Sequence, residues 1–381
     1  MKRRLYIIAF FTLLFLSACG ETSTENSSGS ADVQEPESED FTKMSGNSSK
    51  VYAFPEQYNE NADEKIIFKT EIVVNEKIKN AEAPKGFASR QQVDNEKIFQ
   101  LFFSDIPVRD KEIYELEDDN GKLYESIYYE GENLESLLIN PESFSYMGAL
   151  MPYIANVFDL TENTDKYSQE QDLPFQSQEE AFQDLKKELR KADIDIGDEY
   201  KCYALDYKIM QEEEYAIDMD GNEDTSSYKP SWSQEDDCYY FIIWQKFQDV
   251  PVYQLDEGEL RNADDENAPI QILYSKNGIE MMEFSKVYHF EESEEVVELK
   301  PFEEVAQTVN QKYSMLLGDM FFKVTKAELY YMADELNEDQ YELMPVWIID
   351  IMQYESEENN DGEDGSKIQE AVNAATAEEM Q

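Results

Sequence analysis

The chain has 381 residues, of which 85 are acidic and 32 basic, and its formal net charge is −53. This charge excludes a nucleic-acid partner, which needs a basic surface, and it argues against direct binding to anionic lipid headgroups. It suits either plain solubility or attraction to cations, basic peptides or a basic protein face. The single histidine, His289, excludes metal sites built from several histidines, and we expect neither a bound metal nor a cofactor.

The first 18 residues have the pattern of a secretory signal peptide. Basic residues at positions 2–4 precede an apolar run over residues 5–16, which is shorter than the roughly 20 residues of a membrane-spanning helix. The segment Leu16-Ser17-Ala18-Cys19 resembles the lipobox of bacterial lipoproteins. The resemblance implies cleavage between Ala18 and Cys19, a diacylglyceryl group on the Cys19 thiol, and an extracytoplasmic protein anchored to the cell membrane by that lipid. The alternative is an ordinary signal peptide with a coincidental cysteine.

Residues 19–50 are rich in Ser, Glu, Thr and Gly, which predicts a disordered tether behind the lipid. Residues 51–165 predict an N-terminal α+β region. Within it, KIIFKTEIVVN and GKLYESIYYEG predict strands, and DNEKIFQLFF predicts a helix with Ile98, Phe99 and Phe102 facing inward.

Residues 170–292 predict one helix followed by an antiparallel sheet. The helix begins with Ser177 and Glu180 as a capping box. Its apolar stripe consists of Ala181, Phe182, Leu185 and Leu189. The segments YKCYALDYKIM and CYYFIIWQKFQDVPVY each predict one continuous strand, and IQILYSKNGIEMMEF predicts a hairpin that turns at Asn277-Gly278.

Residues 295–381 predict the same order of elements a second time. PFEEVAQTVNQKYSML predicts a helix with Val305, Val309 and Tyr313 on one face, while FKVTKAELYYM and YELMPVWIIDIMQYE predict strands. The final VNAATAEE occupies the place of the hairpin YSKNGIE in the first copy.

Matching landmarks support an internal repeat. The corresponding residues are Glu180 and Glu304, Tyr207 and Tyr331, and Trp244 and Trp347. In both copies the glutamate and the tyrosine are 27 residues apart. A chance alignment of two α+β segments is the alternative. We predict the fold class α+β, with antiparallel sheets each packed by a helix: two tandem units and a further N-terminal unit. The matched tyrosines and tryptophans should be core residues, with Trp244 near Leu185 and Trp347 near Val309.

These landmarks resemble PepSY-type domains, and more particularly the YycI-like extracytoplasmic regulatory proteins of Gram-positive bacteria. The resemblance covers residues 175–381. It rests on Leu205-Asp206-Tyr207, Val250-Pro251-Val252-Tyr253, Leu329-Tyr330-Tyr331, Pro345-Val346-Trp347 and Asn373-Ala374-Ala375-Thr376. Asp249 and Ala377 stand where turn glycines are usual in the family. YycI-like proteins typically keep an uncleaved transmembrane anchor, so signalling through paired transmembrane helices does not follow for a chain with a lipobox.

The remaining cysteines, Cys202 and Cys238, suggest a disulfide, which exported proteins often contain. The repeat predicts that each matched tryptophan pairs with the leucine two residues before the matched tyrosine. That register places Cys202 opposite Phe247, roughly 30 Å from Cys238 at about 3.3 Å per residue. Because a disulfide needs Cα atoms within about 7 Å, we predict two free, mostly buried thiols.

The segment DMDGNED begins like a calcium-binding loop, with Asp218, Asp220 and Asn222 at alternating positions. An EF-hand needs glycine at the sixth loop position and glutamate at the twelfth, where this chain has Glu223 and Lys229. We therefore do not expect a high-affinity calcium site.

The sequence contains no catalytic motif of the nucleophile-elbow, zinc-protease or phosphate-loop type. We interpret His289, in KVYHFEE, as a structural residue. A two-carboxylate glycosidase needs only two acids that are close in space, so the sequence leaves that chemistry open. The 25 tyrosines and 21 phenylalanines suit either a stacking platform or an aromatic core, and the strand patterns favour the core.

These observations favour a non-enzymatic cell-surface lipoprotein of a Gram-positive-type bacterium that binds a protein or peptide in an envelope-associated role. The alternative is a carbohydrate-binding or glycoside-processing surface lipoprotein. The anchor, the tether and the missing catalytic motifs lead to the first hypothesis, and the many carboxylates and aromatic residues keep the second open.

Overall fold

The computed structural model describes residues 54–62, 64–75, 78, 81–117, 121–253, 268–316, 320–337, 340–355 and 365–380, and the predicted signal peptide and tether lie outside these residues. The strands, in chain order, are β1 (Gln57–Asn61), β2 (Ile66–Val73), β3 (Glu82–Arg90), β4 (Val108–Glu117), β5 (Leu123–Gly131), β6 (Ser136–Asn140), β7 (Ser143–Met147), β8 (Lys201–Leu205), β9 (Cys238–Ile243), β10 (Lys246–Phe247), β11 (Val250–Tyr253), β12 (Ile270–Ser275), β13 (Gly278–Phe284), β14 (Tyr288–Glu298), β15 (Phe321–Asn337), β16 (Gln340–Tyr354) and β17 (Ser366–Asn373). The helices are α1 (Asn95–Phe103), α2 (Met151–Ile154), α3 (Gln178–Leu189), α4 (Tyr207–Glu213) and α5 (Phe302–Ser314). None of these helices has the length and apolar character needed to cross a membrane.

The strands form two sheets. Sheet 1 has the order β1-β2-β15-β16-β3-β14, with β11 beside β15, β10 beside β11, and β17 beside β16. Sheet 2 has the order β4-β5-β6-β7-β13-β12-β9-β8, and all its neighbouring strands are antiparallel. In sheet 1, β2 and β11 each run parallel to β15. The predicted α+β class is confirmed.

Sheet 2 is packed on one face by α3 and α1. The predicted capping box at the start of α3 is present, because the Ser177 side chain accepts from the Glu180 N–H and the Glu180 carboxylate accepts from the Ser177 N–H. The predicted stripe of α3 is buried in the same cluster as the inward residues of β9 and β12. In α1, Phe103 is buried with Ile98 and Phe102, whereas Phe99 is half-buried.

Sheet 1 is packed by α5, and Trp347 lies at the centre of this core. The Trp347 ring is fully buried and makes an edge contact with Phe302 of α5, at 5.3 Å between ring centroids. The predicted neighbour Val309 belongs to the same cluster, as does Tyr331. The predicted pairing of Trp347 with Leu329 across the β15–β16 hairpin is also present.

Two of the predicted core residues, Tyr207 and Trp244, do not lie where the sequence predicts them. Tyr207 does not continue a strand, because β8 ends at Leu205 and the Asp206 side chain caps the N-terminus of α4 by accepting from the Lys208 N–H at 2.8 Å. Trp244 does not pack near Leu185. It lies two residues after Ile242, on the face of sheet 2 opposite α3, and both Tyr207 and Trp244 are half-buried against the cluster on that face.

The predicted continuous strand CYYFIIWQKFQDVPVY is interrupted after Ile243. Gln248 and Asp249 adopt φ values of 52° and 68° and form the turn between β10 and β11. Asp249 therefore takes the left-handed conformation that favours glycine, and Ala377 does the same with φ 60°. Strand β11, which follows this turn, is not part of sheet 2 as β9 is. It pairs with β15 in sheet 1.

The predicted hairpin between β12 and β13 is present, and it closes where Ser275 pairs with Gly278. Its two-residue loop is Lys276-Asn277, one position earlier than predicted. Gly278 supplies the positive φ of 109°.

The strand pairing differs from the predicted division of the chain into three separate folded units. The region predicted over 51–165 forms no sheet of its own, because β1–β3 join sheet 1 and β4–β7 join sheet 2. Strand β14 crosses the boundary predicted between 170–292 and 295–381 and pairs with β3. Local sequence patterns predict where strands lie, but the partner of each strand is decided by distant segments.

Cys202 and Cys238 are both free and buried, as predicted, but the register differs from the prediction. Cys202 pairs with Phe241, and Cys238 pairs with Leu205, so the two thiols are three positions apart on neighbouring strands. They also point to opposite faces of sheet 2, since they belong to different core clusters. An offset of roughly 10 Å along the strands, together with the opposite orientation, keeps the thiols apart, and the predicted separation of roughly 30 Å was too long.

Replacing Trp347 by alanine should destabilise the protein strongly. Truncation of a buried aromatic side chain typically costs about 3–5 kcal/mol, and an ordinary domain is stable by only about 5–15 kcal/mol. Thermal unfolding should show a large loss of stability for Trp347→Ala and a smaller loss for the half-buried Trp244→Ala. A Trp347→Ala protein that melts like the wild type would contradict this assignment of the core.

Candidate functional site

The residues predicted to be important do not converge on one site. Ala18 and Cys19 lie outside the described residues. Trp347 and Tyr331 are buried in the core of sheet 1, whereas Tyr207 and Trp244 lie against sheet 2. The four aromatic residues are packing residues, and a binding surface has to be sought elsewhere.

The segment that resembles the start of a calcium loop forms a turn held by its own first carboxylate. Asp218 Oδ1 accepts from the backbone N–H groups of Asp220 and Asn222, both at 2.9 Å. These backbone hydrogen bonds, together with the Asn222 side chain, lower the pKa of Asp218. Among the described residues, no group of three or more His, Cys, Asp or Glu side chains is arranged to hold a metal ion.

His289 is exposed near the start of β14, where it pairs with Ser89 of β3. The aromatic strand residues Tyr239, Tyr240 and Phe241 are buried. The Tyr239 hydroxyl donates to the Gln176 carbonyl at 2.8 Å, which ties β9 to the segment before α3. These aromatic side chains build the core, so a stacking platform would need other residues.

A small cavity lies where β3 leads into α1. Its volume is about 140 Å³, well below the roughly 300–1,000 Å³ of most small-molecule sites. The floor includes Phe144 and Phe284, whose rings stack at 5.0 Å. Lys97 and Asp193 line the rim and form an ion pair. A cavity of this size fits a single side chain better than a cofactor.

A more extended surface lies on the face of sheet 2 opposite α1 and α3. Tyr128, Leu138, Ser145 and Glu283 are successive cross-strand neighbours on β5, β6, β7 and β13. Met147 lies two residues after Ser145 on the same face. We call these five residues the Glu283 strip.

The Glu283 strip is partly open to solvent. All five side chains are half-buried, and its three apolar members belong to none of the four core clusters found in the described residues. Because neighbouring strands are about 4.8 Å apart, the row of four cross-strand residues extends over roughly 14 Å. Next to the strip, the same face of the sheet is covered by residues of the 150–167 segment and α4.

Glu283 is the carboxylic acid among the five residues of the strip. Burial raises the pKa of Glu283 to about 7, and the hydrogen bond from the Ser145 hydroxyl to Glu283 Oε1 opposes that rise. Its other cross-strand neighbour, Gln271, accepts from the Tyr240 hydroxyl at 2.8 Å. Near neutral pH Glu283 can therefore donate a hydrogen bond when protonated or meet a cation when ionised.

Two other acids, the buried Asp237 and the half-buried Glu280, also have raised pKa values, and both form hydrogen bonds within the protein. Burial raises the pKa of Asp237, whose Oδ1 accepts from the Tyr207 N–H at 2.8 Å. Burial also raises the pKa of Glu280, whose Oε1 accepts from the Ser275 hydroxyl at 2.7 Å. Asp237 holds the start of α4 and Glu280 holds the end of β12, so both have structural tasks.

Sequence reasoning missed the Glu283 strip. The available signal was the carboxylate in GIEMMEF, since a glutamate between Met282 and Phe284 interrupts an apolar strand. The cross-strand partners could not be identified, because Ser145 and Glu283 are 138 residues apart in sequence.

No protein-family model and no curated protein matches the chain. Solved structures do match. The chain is similar to an uncharacterized protein from Eubacterium rectale, with 17% identity over 86% of this chain and 94% of that chain, and a TM-score of 0.57. A second match, to the C-terminal domain of YpeB from Bacillus megaterium, covers 76% of this chain and 97% of that domain, with 9% identity and a TM-score of 0.25. The first match shows a shared fold, and the second is too weak to argue from.

Replacing Glu283 by glutamine should stabilise the protein more at high pH than at low pH. The pKa of Glu283 is raised above its unfolded value, so its contribution is most favourable below about pH 4.5 and is lost as pH rises through about 7. After allowance for partial exposure, we expect Glu283→Gln to gain roughly 1–2 kcal/mol relative to wild type between about pH 5 and pH 8. Chemical denaturation at the two pH values measures this difference.

The exposed Glu115 on β4 provides the matched control, because Glu115→Gln should show no such pH-dependent gain. An equal effect of Glu283→Gln at both pH values would contradict the raised pKa of Glu283.

Proposed function

We propose that this chain is an exported, lipid-anchored and non-enzymatic protein of a Gram-positive-type bacterium that binds a protein or peptide through the Glu283 strip. The lipobox at Cys19 and the polar segment behind it support the location. The negative charge supports a partner with a basic face.

The observation that carries the binding proposal is the composition of the Glu283 strip. Tyr128, Leu138 and Met147 offer apolar contact area, and Glu283 supplies one polar anchor among them. Its length of roughly 14 Å matches about four residues of an extended chain. A peptide lying across the strands could bury alternate side chains on the strip and place a lysine or arginine at Glu283.

The PepSY-like and YycI-like relation is part of this proposal. It is supported by the packing of α5 on the hairpin of β15 and β16, and by the pairing of Leu329 with Trp347. In this interpretation the helix and its sheet form a rigid support, while the binding residues lie on sheet 2. The envelope-associated role follows from the anchor.

The absence of enzymatic activity is likewise proposed. Burial raises the pKa values of Asp237 and Glu280, and each of these carboxyls accepts a hydrogen bond within the protein, from the Tyr207 N–H and the Ser275 hydroxyl respectively. The neighbours of Glu283 are the Ser145 hydroxyl and apolar side chains. This arrangement suits recognition of a chain segment better than bond cleavage, which in a glycosidase needs two acids flanking the scissile bond.

A pull-down from intact cells tests the proposal. Wild-type chain should enrich a protein or peptide, and Leu138→Arg should lose most of that enrichment, because the arginine places a charge in the apolar part of the strip. Leu336→Arg is the matched control, since Leu336 is an exposed leucine on sheet 1 and its replacement should leave the capture unchanged. Thermal melting of both variants checks that they fold.

Three results would argue against the proposal: no enriched partner, equal enrichment with Leu138→Arg, or selective capture of a glycan. The last result would support the carbohydrate-binding alternative. A Cys19→Ser form should be released from the membrane, which tests the anchor separately from the binding site.

A further inference from the structure

The residues that follow α4 form a short finger with exposed apolar side chains. We define the 215–224 finger as this segment, which folds back on itself where Ile217 pairs with Glu223. Tyr215, Ile217 and Met219 are 61%, 59% and 80% exposed. Tyr215 and Ile217 flank the buried Ala216 on the arm of the finger that leads to the bridge with Glu223, and Met219 lies in the turn at its tip.

The finger is held in shape by its own hydrogen bonds. The Asp224 N–H donates to the Ala216 carbonyl at 2.8 Å, and the Asp218 N–H donates to the Asn222 carbonyl at 2.7 Å. The Asp218 carboxylate closes the tip, and Gly221 provides the positive φ of 80° that the tip requires. The three apolar side chains are therefore presented on an ordered backbone.

The base of the finger is fixed to the body of the protein. The Tyr215 N–H donates to the Asn156 carbonyl at 2.8 Å. Glu214 accepts from the buried Trp232 Nε1 at 2.8 Å and from the Lys229 N–H at 2.6 Å. A contact surface that is ordered before binding loses little conformational entropy when a partner docks.

The charge around the finger restricts the kind of partner. Residues 212–227 contain seven acidic and no basic side chains. Hydrogen bonds lower the pKa of Asp218, chiefly from the Asn222 backbone N–H, and the pKa of Asp224, chiefly from the Ser226 side chain, which favours the ionised form of both carboxylates. An anionic bilayer would repel this acidic rim, whereas lysine and arginine side chains would complement it.

We propose that the 215–224 finger docks into an apolar pocket flanked by lysine or arginine residues on a partner protein. Ile217 and Met219 enter the pocket, and Asp220 and Glu223 meet its basic rim. This inference depends on the finger alone, so it does not require the Glu283 strip to bind anything.

Site-specific photocrosslinking on intact cells tests the proposal. A photoreactive benzoylphenylalanine replaces Met219 in the full chain, and the matched control carries it at Met315, which is 73% exposed elsewhere on the molecule. Position 219, but not 315, should give a discrete covalent product. Its crosslinked peptide should contain apolar residues flanked by Lys or Arg.

In the chain that carries benzoylphenylalanine at position 219, a second substitution tests the apolar part and the charged part of the contact separately. Ile217→Asp should reduce the product about tenfold, because it removes a buried apolar contact. Asp220→Lys, which changes only the exposed rim, should reduce it as well, and so should about 0.5 M sodium chloride. The thermal melt of each variant should match that of the parent chain.

The proposal is overturned if position 219 gives no more product than position 315, or if the product is a lipid. It is also overturned if the captured peptide lacks basic residues, or if Asp220→Lys and salt leave the yield unchanged. If position 219 gives no crosslink while the wild-type chain still captures a partner and Leu138→Arg loses it, this inference is refuted but the proposed function is not.

Discussion

The exchange of strands between the two sheets is the constraint on which the rest of the structure depends. The chain passes from sheet 2 to sheet 1 after β9 and again after β13. Gln245 joins these two passages, since its side chain donates to the Tyr288 carbonyl and accepts from the Tyr288 N–H, both at 2.8 Å. Phe247 then packs directly on β3, where a Cβ at position 86 would lie only 2.3 Å from its ring. Gly86 is thus required by the close approach of this ring.

The consequence is that neither sheet is complete without segments from the other half of the sequence. Sheet 1 needs β2 and β3 from the N-terminal region, and sheet 2 needs β4–β7. The Tyr331 hydroxyl reinforces this arrangement, because it donates to the Pro84 carbonyl at 2.6 Å across a separation of 247 residues. A body assembled in this way holds the two proposed binding surfaces, the Glu283 strip and the 215–224 finger, in a fixed relation. We propose that the lipid and the tether then hold that body at the cell surface.

Sequence patterns predicted those features that depend on neighbouring residues. The capping box at Ser177, the apolar face of α5 and the register of Trp347 with Leu329 all follow from local spacing. The turn between β10 and β11 was missed because it uses Gln248 and Asp249 at positive φ instead of a glycine. The register predicted for Cys202 was wrong because the repeat paired Trp244 with Leu205, whereas Leu205 pairs with Cys238.

The candidate surfaces depend on information that local patterns do not contain. The neighbours of Glu283 come from strands far away in the sequence, and its raised pKa comes from the burial that those strands produce. In the sequence, the finger is recognisable only as an acidic segment that resembles the start of a calcium-binding loop. The structure adds that Ile217 and Met219 are exposed on it. The aromatic residues Tyr239, Tyr240 and Phe241, which could have formed a stacking platform, are instead buried, because both faces of β9 are covered by core clusters.

Because each sheet contains strands from distant parts of the sequence, we expect the two interleaved sheets to unfold as one cooperative body. Native-state hydrogen exchange followed by mass spectrometry, with increasing guanidinium, measures the free energy of opening for β9 in sheet 2 and β16 in sheet 1 separately. The account predicts that both strands lose protection together, with the same free energy of opening and the same dependence on denaturant. If β16 exchanges through an opening that leaves β9 fully protected, or the reverse, the sheets are independent and the claim is wrong.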